Sequence, residues 1–174
     1  MNKQKILIVD DDEGILSALT MLLKSEGYES HSVTSPEAAI QELQQTEYSL
    51  LLMDLNYAQD TTSGEEGLAL INKVRATDEL IPIVVMTGWG TIEVAVKTMQ
   101  QGANDFLQKP WENDRLLAII HNQVKLAKAQ KQTQKLTEHN QLLRDEIAVN
   151  NKVVGQSQAL NNVLQTIKQV AKSD

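Results

Sequence analysis

Short apolar runs punctuate the first 110 residues, and helical patterns lie between them. Ile6-Leu7-Ile8-Val9 is apolar at every position, as in a strand covered on both faces. Ile15, Leu19, Leu22 and Leu23 then recur at helical spacing, with Gly27 as a stop. A weaker strand follows from Glu29 to Val33. Ser35-Pro36 opens a second helix, because serine caps free N–H groups and proline fits the first helical position. Leu50 to Met53 predicts a third strand, and Gly67 to Arg75 lies in a third helix. Ile81 to Met86, rich in β-branched residues, predicts a fourth strand. A helix from Thr91 to Gln101 stops at Gly102, and Asp105-Phe106-Leu107 predicts a short fifth strand.

Strands alternating with helices, three of them apolar on both faces, predict a doubly wound α/β fold. The class is flavodoxin-like: a (βα)5 parallel sheet. In such sheets ligands bind beyond the carboxyl ends of the strands, so the residues just after each strand carry the chemistry.

Past Pro110 the texture changes. From Glu112 to about Asn150 there is no Gly or Pro, which predicts one long C-terminal linker helix. Its first turns offer Leu116, Leu117, Ile120 and Val124 to the sheet. Beyond them a heptad can be drawn, with Ile119, Leu126, Thr133, Asn140 and Ile147 at a and Asn122, Ala129, Leu136 and Leu143 at d. The seam is imperfect. It still favours a parallel two-stranded coiled coil over a lone amphipathic helix, and Asn140 at an a position would fix the register of a dimer. Val153-Val154-Gly155-Gln156-Ser157 breaks the pattern before a short helix from about Gln158 to Ala171. The expected units are residues 1–122, a linker at 123–150 and a terminal segment at 151–174.

The charge follows the same division. The 174 residues carry a net charge of −7. Residues 1–110 hold 7 basic and 17 acidic side chains, a net of −10, and the remainder holds 9 and 6, a net of +3. This balance and the lack of a helix-turn-helix pattern argue against direct DNA binding. The absence of cysteine excludes disulfides and thiolate metal sites. Only four apolar residues precede the first aspartates, too few for a signal peptide or a membrane span, so the expected compartment is the cytoplasm.

Strand one ends in Asp10-Asp11-Asp12, strand three in Asp54 and strand four in Thr87-Gly88, and Lys109-Pro110 follows strand five. A parallel sheet brings all of these to one rim. Crowded carboxylates resist full ionisation, and a divalent cation relieves them. With Asp10, Asp11 and Asp54 ionised, one Mg²⁺ and the Lys109 ammonium bring the site to zero charge. Such a site can accept a phosphoryl group on a carboxylate, with Thr87 and Lys109 holding its oxygens. Each residue taken singly could be a turn former or a cap; their joint occurrence at four strand ends carries the reading.

On Asp10-Asp11, Asp54, Thr87 and Lys109-Pro110, residues 1 to about 122 resemble the receiver domain of two-component response regulators. The resemblance implies that Asp54 is phosphorylated by a sensor histidine kinase. It implies Mg²⁺ as cofactor, held by Asp11 directly, by Asp10 largely through water, by Asp54 and by the main-chain carbonyl of Asn56. It implies a switch that couples Thr87 to the aromatic Phe106, and a cis Lys109-Pro110 bond. The chain departs from the family where Tyr57-Ala58 replace a usual Met-Pro, and Gly64 comes about two residues late. Trp89 reads as a loop indole; alternatively, it and Asn56 flank the acyl phosphate and limit attack by water.

The segment from Val153 resembles the opening of the AAA+ ATPase domain in NtrC-like activators of sigma-54 RNA polymerase, but no Walker A loop occurs. The chain therefore reads as cut just before that loop. The implied partners are the kinase, a second copy bound through receiver and linker, and the polymerase only through the ATPase. Phosphorylation would be a regulatory event rather than enzymatic turnover. Two rivals remain: a haloacid-dehalogenase-like phosphatase using Asp10 and Asp12 of a D-x-D pattern, and a receiver-like interaction module that is never phosphorylated.

Overall fold

The computed structural model describes residues 4–57, 64–88, 92–155 and residue 162; within 148–155 only the backbone course is described. The elements are β1 (Lys5–Val9), α1 (Glu13–Ser25), β2 (Glu29–Val33), α2 (Pro36–Gln45), β3 (Leu50–Asp54), α3 (Glu65–Thr77), β4 (Ile83–Thr87), α4 (Ile92–Gln100), β5 (Asp105–Gln108) and α5 (Asn113–Gly155). They build one five-stranded sheet in the order β2-β1-β3-β4-β5, with every pairing parallel. This is the flavodoxin-like doubly wound fold, with its switch point between β1 and β3.

The period of two along each strand divides the core. Leu7, Val9, Leu51, Met53, Ile83 and Val85 face α2 and α3, where Ala39, Leu68, Leu70, Ile71 and Val74 meet them. Ile6, Ile8, Leu50, Leu52, Val84 and Met86 face α1 and α5, where Leu16, Leu19, Leu23, Leu116, Ile120 and Val124 meet them. Helix starts follow local chemistry. Ser35 accepts from Ala38 N–H at 3.2 Å, with Pro36 in the first turn of α2. On the edge strand β2, His31 Nδ1 lies 2.7 Å from the Tyr48 hydroxyl, which donates to Glu42 at 2.9 Å.

At the rim where the strands begin, Arg75 closes a knot. Its guanidinium donates to the carbonyls of Gly102 (2.9 Å), Asp78 (3.1 Å) and Ile81 (2.7 Å) and to Asn104 Oδ1 (2.7 Å). Asn104 Oδ1 also accepts the Ile83 N–H at 2.9 Å.

Two element boundaries differ from expectation. β4 begins at Ile83, not Ile81, because Asp78 Oδ1 ties the N–H groups of Leu80 (2.8 Å) and Ile81 (2.9 Å) into a turn, and Pro82 has no N–H for a ladder. α5 runs through Val153 and Val154 to Gly155, since β-branched residues weaken a helix only by tenths of a kcal/mol. The first compact unit is Met1–Gln130, within which α5 buries Val124 and Ala127. The second unit is Lys131–Asp174. Within it every residue of 132–147 is exposed, Leu136, Leu143 and Ile147 among them. Leu126, in the first unit, is exposed as well, and so is Leu142, which lies off the drawn seam. Trp89, Thr91, residues 58–63 of the loop after β3, and the predicted Gln158–Ala171 helix apart from residue 162 lie outside the described residues.

Candidate functional site

Register brings the chemistry together. Val9 pairs with Met53, so the chain leaves β1 and β3 side by side, at Asp10 and at Asp54. Asp54 pairs with Met86 and Thr87 with Gln108, which puts Thr87 and then Lys109 on the same rim. Asp10 and Thr87 are fully buried and Asp54 nearly so, whereas Asp11 is exposed.

Lys109 binds two of the carboxylates at once. Its ammonium donates to Asp10 Oδ2 at 2.7 Å and to Asp54 Oδ2 at 2.9 Å. The other oxygens accept backbone N–H groups: Asp12 N–H on Asp10 Oδ1 at 2.9 Å and Leu55 N–H on Asp54 Oδ1 at 2.7 Å. Carboxylate oxygens of Asp10, Asp11 and Asp54 lie within 4.8 Å of one another. Three carboxylates and one ammonium leave the cluster two negative charges in excess. Burial pushes the Asp54 carboxyl above its ordinary value, and the hydrogen bond and charge of Lys109 oppose that rise. Burial alone would lower the Lys109 ammonium, but its bonds to Asp10 and Asp54 prevail and hold it above its ordinary value. The donor set, oxygen only with a deficit of two charges, fits Mg²⁺.

The remaining predicted residues lie close by in the chain. Asn56 is half-buried two residues after Asp54, and Phe106 is half-buried on β5 opposite Val85. The Lys109–Pro110 bond is cis. α3 approaches the chain just after Asp54 so closely that a Cβ on Gly67 would lie 2.5 Å from the Leu55 carbonyl oxygen. Gly64, at φ 66°, makes the preceding turn in the left-handed region.

Asp12 does not join the cluster. Its Oδ1 accepts from Gly14 N–H at 2.7 Å and Ile15 N–H at 3.2 Å as the cap of α1. The D-x-D phosphatase reading therefore loses its second carboxylate. Sequence reasoning missed one residue, Tyr57, noted only as a departure from Met-Pro. It is 4% exposed, and its hydroxyl has no hydrogen-bond partner among the described residues. Burial, then the charges of Asp54, Asp10, Asp11 and Glu66, raise that phenol well above its ordinary value.

Among similar proteins, an NtrX-like response regulator of Rickettsia bellii is 28% identical over 169 residues, which is 97% of this chain and 32% of that protein. The chain thus spans about a third of the length of this relative. The crystal structure of NtrX from Brucella abortus in complex with ADP matches 98% of this chain and 36% of its own, with 26% identity and a TM-score of 0.65. The solution structure of the beryllofluoride-activated NtrC4 receiver domain dimer matches 71% of this chain and 98% of its own, with 26% identity and a TM-score of 0.65. Residues 6–121 match the response regulator receiver domain, and they contain every strand-end residue that forms the acidic rim. On fold, rim and sequence together, the chain belongs to the response regulator receiver domain family.

Proposed function

We propose that this chain is a phosphorylation-controlled switch with Asp54 as its acceptor. An Asp54 oxygen attacks the phosphorus of a phosphohistidine on a sensor kinase. The new P–O bond forms as the P–N bond breaks, leaving an acyl phosphate on Asp54. The observation that carries this reading is the Lys109 ammonium, shared between Asp10 and Asp54 within a cluster still deficient by two positive charges. Asp10, Asp11, Asp54 and the Asn56 carbonyl would hold Mg²⁺, which when bound neutralises the cluster and polarises the phosphoryl oxygens. Lys109 pairs with one phosphoryl oxygen and the Thr87 hydroxyl donates to another. Phe106 then turns inward, and the surface of α4, β5 and α5 repacks as the second of two states.

The output passes to a second copy. The exposed Leu126, Leu136, Leu143 and Ile147, in register with Thr133 and Asn140, support a parallel linker dimer. Asn140 now donates to the Leu136 carbonyl of its own helix at 2.9 Å. In a longer cytoplasmic protein this dimer would govern an AAA+ ATPase acting on sigma-54 RNA polymerase, with no DNA contact from these residues. Among the described residues no helix is long and apolar enough to cross a membrane.

Acetyl phosphate with Mg²⁺, followed by phosphate-affinity electrophoresis, tests the acceptor. Wild type shifts and Asp54→Asn does not; a shift that survives Asp54→Asn and is lost in Asp10→Asn would sink the reading. Light scattering tests the dimer. Asn140→Leu should stabilise it while loosening its oligomer specificity, and a wild type that stays monomeric at every concentration defeats this part.

A further inference from the structure

On the edge strand β2, His31 is held in one orientation and one tautomer. Tyr48, 2% exposed, has a single hydroxyl proton and gives it to Glu42 Oε2 at 2.9 Å. Its oxygen can therefore only accept from His31 Nδ1, 2.7 Å away. That bond places the proton of the neutral ring on Nδ1 and leaves a lone pair on Nε2. Nε2 faces Glu29 Oε1 at 3.8 Å. Two acceptors thus meet with no proton between them. Residues 29 and 31 share one face of β2, because side chains alternate along a strand, so both can reach one ion. Lys5 Nζ, from the neighbouring strand β1, lies 3.9 Å from the same Glu29 oxygen. With the ring neutral, Glu29, Glu42 and Lys5 leave one negative charge in excess.

The relay behind the ring has a chemical meaning. A metal-bound imidazole almost always donates its other N–H toward a carboxylate, a carbonyl or water, which fixes the tautomer and raises the basicity of the ligating nitrogen. Here that donation runs from Nδ1 through the Tyr48 hydroxyl to Glu42. An imidazole nitrogen with a carboxylate oxygen suits Zn²⁺ and similar transition metals better than Mg²⁺. Around a tetrahedral Zn²⁺ two such donors stand roughly 3.3 Å apart. The Glu29 side chain is 43% exposed, so rotation about its own bonds closes the difference.

We propose that His31 Nε2 and Glu29 Oε1 bind a divalent cation of the zinc class at the edge of the sheet. Tyr48 and Glu42 support the ring, and water fills the remaining positions. The site does not depend on the reading of Asp54 as the phosphoacceptor.

The test titrates the full chain with ZnCl₂ at about pH 7.5. Excess Mg²⁺ is present, and nitrogen-15 spectra of the imidazole rings separate His31 from His121 and His139. Before zinc, His31 should carry its proton on Nδ1 alone. Zinc should move its Nε2 resonance and leave the Nδ1 proton in place. Glu29→Gln and Tyr48→Phe should each weaken this response about tenfold, and Asp54→Asn should leave it within about twofold. Thermal melting without zinc reports whether each variant folds. If Tyr48→Phe melts early, Glu42→Gln reads the same relay from a side chain that is 38% exposed, and it should weaken the response in the same direction. A His31 ring protonated on Nε2 before zinc overturns the proposal, as does a ring that zinc leaves unmoved. Full affinity in Glu29→Gln, or in both relay variants, overturns it too. A response lost in Asp54→Asn would place the zinc at the acidic rim instead.

Discussion

Where the strands begin, the Arg75 guanidinium donates to the carbonyls of Gly102, Asp78 and Ile81 and to Asn104. Where they finish, one ammonium serves two of three carboxylates. The same sheet carries both rims. At the first, each hydrogen bond closes on protein, so the set ties the two loops before β4 and β5 to α3. At the second, negative charge is left in excess, at a cost to stability that a bound cation would offset. The difference separates the part of the molecule that holds the fold from the part that changes state.

Four measurements would break or sharpen this contrast. The largest effect is expected from Asp54→Asn, which should abolish acid-labile phosphate while Arg75→Met leaves it in place; equal labelling of both would erase the division. Arg75→Met keeps the apolar stem but removes all of the charged donors, and should cost about 3 kcal/mol in urea unfolding. A loss below about 0.5 kcal/mol would show that the knot does not hold the fold. Gly67→Ala forces a Cβ against the Leu55 carbonyl, and should cost roughly 1–3 kcal/mol and slow phosphorylation through the displaced neighbour of Asp54. Full stability with a normal rate would contradict the close approach.

The smallest effect is a pH dependence. Burial raises the Asp54 carboxyl above 3.8, so the folded protein binds this proton more tightly than the unfolded chain. Its contribution to stability is present at low pH and is lost as pH rises through the raised value. Urea midpoints in chelator, taken from about pH 4 to pH 7, should give a difference between wild type and Asp54→Asn that widens toward high pH. A difference that is flat or of opposite sign would mean that Lys109 outweighs burial.

Much of this architecture is legible in the chain. β1, β3 and β4 are apolar at nearly every position because helices cover both faces, and a parallel sheet collects the strand ends without further information. The errors have physical causes. Ile81 is 2% exposed, yet it belongs to a turn; burial and ladder pairing look alike in a string of letters. Asp12 differs from Asp10 by two positions, and only backbone direction decides that it caps α1. Tyr57 reads as a loop aromatic because its burial depends on a tertiary core that includes Leu68 and Ile71 of α3.

The strand register carries one more consequence. Val9 opposite Met53, Asp54 opposite Met86 and Thr87 opposite Gln108 act as an address: each reactive group stands where it does because its strand is in step with the next. Sliding β1, β3 or β4 by one residue would carry its end group off the rim and turn its core face toward the wrong helices in the same movement. One error is thus read twice, by the site and by the core. A mis-registered copy would fail to fold before it could signal wrongly, so the sheet proofreads the switch it carries.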